Sequence, residues 1–282
     1  MPNLHAVRDQ ITLLEGDLYD RQFVLEVMDL TRPDQVYHLA AQAAPSLAWA
    51  KAEETLVTNI VCQLHILAAS VELGIRPRIL VVGSGDVYGL VRSEELPITE
   101  ECTFRPTNPY AVSKVAQEML GYQYYLSHSL PVVRVRPFNH VGPRQGLGFV
   151  VASLARQVAE AELGLTAPVI KVGNLEARRD FTDVRDVVRG YWLALEQGDA
   201  GDVYNLGSGY SRSVSEVLDD LLALGQRPLR VEQDPERMRP SDVPDMVCDA
   251  GKFHRQTGWV PEIPWQRTIY DTLDYWRHQV SK

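Results

Sequence analysis

Short apolar runs alternate with helix-length stretches along the first half of this 282-residue chain. "DQVYHLA" and "RPRILVV" read as buried strands, and "LPVVRVRP" as another. Between them lie "EETLVTNIVCQLHILAASVELG", which Gly74 should stop, and "NPYAVSKVAQEMLGYQYYLSHS", with Pro109 in its first turn. Parallel strands need crossovers of this length, so the alternation implies βαβ units and a mostly parallel sheet. "ITLLEGDL" is expected to begin the series with a strand from Ile11 to Leu14, and "DRQFVLEVMDL" to follow as a helix.

The second half is less regular. "FVVASLARQVAEAELG", "DVRDVVRGYWLALEQG", "SVSEVLDDLLALG" and "WQRTIYDTLDYWRHQV" read as helices, and "PVIKVGN" and "DVYNLGSG" as short strands. The fold expected is α/β. A Rossmann-like domain spans residues 1–145 and a small α/β lobe 146–282, with residues 179–208 returning to the sheet.

Charge narrows the partners. The formal net charge is −9, the wrong sign for a nucleic-acid surface. Three cysteines without CxxC spacing give neither a zinc site nor a disulfide framework, so no metal is expected and a reducing, cytoplasmic setting fits. No apolar run reads as a membrane span; "LAAQAAPSLAWA" is broken by Gln42, Pro45 and Ser46.

Two motifs carry chemistry. Tyr110 and Lys114 are four residues apart on one helix, so they share a face. A lysine cation beside a phenol is expected to lower the phenol's pKa. Alone, the pair is better explained by a surface tyrosine stacked on a lysine stem, since this spacing often occurs by chance. "VVGSGDVYG", Val81 to Gly89, has the look of a phosphate loop. It also puts a hydroxyl, Ser84, just past a strand end, where ligand sites of parallel sheets lie. A serine and a tyrosine on one substrate oxygen, with a lysine tuning the tyrosine, form one coherent set.

That combination resembles the extended short-chain dehydrogenase/reductase family. The likeness continues through "GDL" (Gly16–Leu18), "HLAAQA" (His38–Ala43), Asn59 and "RPFNHVGPRQ" (Arg136–Gln145). It runs on through "RRDFTDVRDV" (Arg178–Val187), "YNLGSG" (Tyr204–Gly209) and "DPERMRPSDVPDMVCDAGKF" (Asp234–Phe253). "RPFNH" with "RMRPSDVP" resembles the GDP-mannose branch, its 4,6-dehydratases and 4-keto-6-deoxy reductases. The resemblance implies NADP or NAD as cofactor, a GDP-sugar substrate and a homodimer or homotetramer built on the helices near Thr55–Leu73 and Pro109–Ser127. By position it implies that Asp17 and Leu18 hold the adenine. Leu39, Ala40 and Ala41 lie beside the pyrophosphate and ribose, with Tyr110 and Lys114 at the catalytic end and His140 near the nicotinamide. Ser84, Gly85 and Asn139 meet the substrate, and Arg179, Arg239 and Asp242 grip its GDP. Each position also has a bland alternative: a cap for Asp17, local pairing for Arg179 and Asp180, a solvated turn for the "ERMRP" arginines.

Within that branch a dehydratase needs a further group to take the C5 proton. The resemblance gives that role to a glutamate two residues after the catalytic hydroxyl, and here the position holds Asp86, one methylene shorter. Reduction of GDP-4-keto-6-deoxy-D-mannose to GDP-6-deoxy-D-mannose (GDP-D-rhamnose) is therefore preferred. A GDP-mannose 4,6-dehydratase and, from another class, a UDP-hexose epimerase remain as rivals. A family member should also open with a strand, G-x-x-G-x-x-G and a helix. No such turn follows Met1, and "ITLLEGDL" resembles the family's third strand. A misassigned start or a genuine truncation is favoured over a rebuilt cofactor site. As a non-enzyme alternative, the chain could be an inactive fragment that keeps the sugar-nucleotide lobe.

Overall fold

The computed structural model describes residues 2–238 and 243–282. Its centre is a parallel sheet in the order β1 (Gln35–His38), β2 (Arg78–Val82), β3 (Val132–Pro137), β7 (Val203–Leu206). Register runs from Val36 opposite Ile79 to Arg136 opposite Asn205. Alternation along β2 assigns the faces. Ile79 and Val81 pack with Leu67 of α3 (Ala52–Glu72), and Leu120 of α4 (Pro109–His128) lies against that cluster. Leu80, between them, packs on the opposite face with Val187 and Ala194 of α6 (Val184–Gln197) and Phe253 of α8 (Gly251–Thr257). Helices thus cover both faces, as an all-parallel sheet requires.

A second core lies between α5 (Val150–Glu162), α7 (Val214–Ala223) and α9 (Trp265–Val280), over the parallel pair β5 (Val169–Val172) and β9 (Arg230–Gln233). A three-stranded sheet of β4 (Asn139–Val141), β6 (Arg178–Asp183) and β8 (Ser211–Ser213) stands between the two cores. Of the segment expected to return to the main sheet, β7 joins it and α6 packs on it, while β6 pairs with β4 and β8.

Helix ends follow the sequence signals. Asn108 caps α4 by accepting from Ala111 N, with Pro109 at the first position. Asp183 caps α6, and Ser213 forms a capping box with Glu216 at α7. Asp20 rather than Asp17 caps α1 (Arg21–Thr31).

Two expectations fail. Residues 11–14 form no strand: β1 is the sheet's edge, and no neighbour lies on its outer side among the described residues. Ile11, Leu13 and Leu14 are all exposed, so their apolar pattern has no face to bury. The described residues also hold no strand–helix–strand unit before α1. Second, α3 is long and apolar enough by length and composition to cross a bilayer, contrary to the reading that no run is. In this fold it packs between α1 and α4 and buries Asn59, Gln63 and Ser70.

Candidate active site

Strand β2 stops at Val82, and Gly83 N bonds the Val135 carbonyl at 2.8 Å. Ser84 then has extended backbone, and its side chain accepts from Asp86 N at 3.1 Å. This opens a 3-10 turn over Gly85–Tyr88 that closes at Gly89, where φ is +56°. Ser84 is buried, and Asp86 is half-buried and engaged with its surroundings.

Helix α4 brings Tyr110 and Lys114 to this turn. The Tyr110 phenol lies close enough to the Ser84 side chain for that hydroxyl to favour its ionised form, against larger opposing effects. Lys114 Nζ lies 5.8 Å from the Tyr110 ring centre and donates to the Val82 carbonyl at 3.0 Å. All four expected catalytic residues therefore converge at the carboxyl end of β2.

Electrostatics at the pair run opposite to expectation. Burial, then the Asp86 carboxylate, push the Tyr110 phenol up rather than down. Burial lowers Lys114 to about 8. Burial is the largest influence on the phenol and favours its protonated form, the form that can donate a proton.

The loop after β1 is tied to the same point. Leu39 and Ala40 are exposed and Ala41 half-buried beyond the strand end. Asn59 of α3 accepts from Gln42 N at 2.8 Å and donates to the Gln42 carbonyl at 3.1 Å and Ser113 Oγ at 2.9 Å. Ser113 Oγ donates to the Tyr110 carbonyl at 2.7 Å. Asn59 thus links the expected cofactor ledge to the helix turn that carries Tyr110.

His140 lies on β4, its Nδ1 3.3 Å from the Phe138 carbonyl, and burial lowers its pKa. Asn139 precedes it, half-buried. Asp17 is exposed, its Oδ1 accepting from Tyr19 N, while the Leu18 carbonyl meets His65 Nδ1 of α3 at 2.9 Å. Arg179 Nη1 donates to the Val243 carbonyl at 2.6 Å. Arg239 and Asp242 lie outside the described residues.

Three nearby groups were not singled out from sequence. His38 ends β1 opposite Val81, on the face covered by α3 and α4, with Nε2 buried and unpartnered. Burial and the Lys114 charge lower its pKa to about 4. Tyr191 of α6 is buried, and burial followed by proximity to Tyr110 raises its pKa. Tyr88 and Glu118 are the third group, described below. None of these has a local spacing signal, because each contact joins distant parts of the chain.

The donor set fits the nicotinamide-ribose end of a dinucleotide. Lys114 uses one N–H on Val82, and an ammonium has three to give. His38 Nε2 lacks a partner near it, and Leu39 and Ala40 leave backbone exposed at the strand end.

Comparison with known proteins agrees with this geometry. The family model for GDP-mannose 4,6-dehydratase matches residues 2–272. A GDP-6-deoxy-D-mannose reductase from Pseudomonas aeruginosa is 40% identical over 89% of this chain and 82% of its own length. GDP-mannose 4,6 dehydratase 1 of Arabidopsis thaliana is 29% identical, covering 92% of this chain and 72% of its own. Among solved structures, RMD from Pseudomonas aeruginosa complexed with NADPH superposes with a TM-score of 0.90 at 35% identity, covering 99% and 95% of the two chains. A UDP-glucose 4-epimerase from Thermotoga maritima follows at 0.85 and 27%. With the serine turn, the tyrosine–lysine helix and this match over nearly its whole length, the chain belongs to the GDP-mannose 4,6-dehydratase family of sugar-nucleotide enzymes.

Proposed function

We propose that the protein is an NAD(P)H-dependent reductase that converts GDP-4-keto-6-deoxy-D-mannose to GDP-6-deoxy-D-mannose. The observation that carries this reading is the meeting of Ser84, Tyr110 and Lys114 at one strand end, with Asp86 where the resemblance gives the dehydratases a longer glutamate. The 40% identity to a reductase of that name, against 29% to a dehydratase, supports it. So does the NADPH in the superposed RMD structure.

A bound nicotinamide supplies the hydride to C4 of the ketone. The chain's own residues handle the proton and the oxygen. The Ser84 hydroxyl donates a hydrogen bond to the C4 oxygen and polarises the carbonyl. Tyr110 gives its phenolic proton to the same oxygen as negative charge develops there. The Lys114 ammonium then offsets the phenolate left on Tyr110. Leu39–Ala41, Asp17, Leu18 and His140 are the residues we assign to the cofactor. Gly85, Asn139, Arg179, Arg239 and Asp242 are those for the GDP-sugar, the arginines suiting a diphosphate through their planar donor fork. On this reading residues 1–145 hold the cofactor and catalytic side, and 146–282 mostly the sugar-nucleotide side.

Partner and setting follow as part of the same proposal. Val112, Met119 and Leu126 on α4 and Val57 on α3 are exposed apolar side chains. They suit pairing of two copies through these helices, and a cytoplasmic nucleotide-sugar enzyme needs no other partner.

The test is to add the GDP-linked ketone to purified protein with NADPH and follow loss of nicotinamide absorbance. Ketone-dependent oxidation is expected, inhibited by GDP far better than by UDP, and lowered about a thousandfold in Tyr110→Phe. Equal inhibition by UDP would favour an epimerase-type substrate. Tight NADPH binding without any turnover would reject the reductase reading.

A further inference from the structure

A buried charge cluster lies under the turn that carries Ser84 and Asp86. Glu118 of α4 is 0% exposed and meets two arginines of β3. Arg136 donates Nε at 2.8 Å and Nη2 at 2.6 Å, and Arg134 donates Nη1 at 3.3 Å. Arg136 Nη1 also donates to the Tyr88 hydroxyl at 2.7 Å and to the Glu100 carbonyl at 3.0 Å. The Tyr88 hydroxyl donates in turn to Asn205 Oδ1 at 2.7 Å, on the strand beside β3. Asn205 is fixed by the Ile98 carbonyl at 3.0 Å and by Glu100 Oε1 at 2.7 Å.

Two buried cations and one buried carboxylate are a poor way to gain stability, because desolvation offsets most of their attraction. Their placement suggests a different use. The turn is packed closely at two of its glycines, against the cluster at Gly83 and against Phe138 at Gly85. A Cβ on Gly83 would lie 3.0 Å from the Val135 carbonyl oxygen and 3.3 Å from Glu118 Oε2. One on Gly85 would lie 3.1 Å from the Phe138 ring. Tyr88, fully buried, leaves the turn between the Phe104 and Phe138 rings. The segment is gripped at 83, 85 and 88, and Ser84 and Asp86 lie between the grips.

We propose that Tyr88 is a positioning residue for the reaction. Its hydroxyl, held between Arg136 and Asn205, fixes the height and angle of the Ser84–Asp86 step against Tyr110. A rate can be lost through such a residue without loss of binding, since a displacement of about 1 Å at a reacting group is worth up to roughly a hundredfold. Tyr88→Phe removes the hydroxyl and keeps the ring, so the fold is retained while the anchor is lost.

The inference rests on the functional reading for its kinetic test alone. In Tyr88→Phe, kcat for the ketone should fall about tenfold with KM within about twofold. The isotope effect with cofactor deuterated at the transferred position should rise. Amide hydrogen exchange over residues 84–89 should quicken about tenfold, with α4 unchanged. Unchanged exchange in that turn overturns the proposal, whatever the substrate proves to be. So does an unaltered kcat in a protein whose wild type is active, a change in KM alone, or a loss of melting temperature that quickens exchange throughout the chain. A wild type that leaves the ketone untouched rejects the functional reading, and the exchange comparison still decides the role of Tyr88.

Discussion

Lys114 holds its ammonium in a site that costs it charge: burial brings its pKa down to about 8. Below that value it is a cation beside Tyr110, and above it a neutral amine. The phenolate formed as Tyr110 gives up its proton is stabilised only by the cation. The rate of ketone reduction should therefore be level at lower pH and fall as pH rises through about 8, approaching tenfold per unit. A kcat–pH profile checks this, and a limb rising with pH over the same range would contradict it. The lysine–tyrosine spacing was legible in the sequence because four residues make one helical turn. The direction of the tyrosine's shift was not. It depends on how thoroughly the site is buried and on Asp86, which reaches Tyr110 only after the chain folds. His38, Tyr88 and Glu118 were hidden for the same reason, each meeting its partner across strands or helices far apart in sequence.

At the scale of elements, punctuation in the sequence did most of the work. Asn108 and Pro109 start α4 so that Tyr110 falls in its first turn and Lys114 one turn on. Asp183 and Ser213 start α6 and α7 in the same manner. The short strands β4, β6 and β8 had no such signal. Three residues of pattern do not distinguish a strand from a loop, and β6 carries charges at Arg178, Arg179 and Asp180. Ile11–Leu14 failed in the other sense: its pattern is strand-like, but a strand exists only where a neighbour pairs with it. Gly89 makes the sharpest elemental prediction. It closes the active-site turn at φ +56°, and a Cβ there would sit 1.7 Å from the Arg105 carbonyl oxygen. Gly89→Ala should destabilise the protein by on the order of 3 kcal/mol, seen as a lower melting temperature and loss of activity together. A variant that melts with the wild type would show that the turn relaxes freely.

The molecule as a whole brings Ser84, Tyr110 and Lys114 to one strand end of a parallel sheet, where ligand sites of such sheets lie. The α/β class and the helix-covered sheet could be read from alternation alone. The sheet's full membership could not, because β5 and β9 pair across more than fifty residues, and the β4–β6–β8 sheet is assembled from both halves of the chain. The family's named relatives include reductases and dehydratases, and on the proposed reading both reactions would use Ser84, Tyr110 and Lys114. They differ in whether a group beside the serine must also move a C5 proton, and Asp86 stands at that position. The most direct measurement runs both reactions on the same purified protein: GDP-4-keto-6-deoxy-D-mannose with NADPH, and GDP-mannose with NADP, with products identified by mass and NMR. The account predicts GDP-6-deoxy-D-mannose from the first and at most a trace of ketone from the second. Dehydration of GDP-mannose at a rate equal to ketone reduction would contradict it.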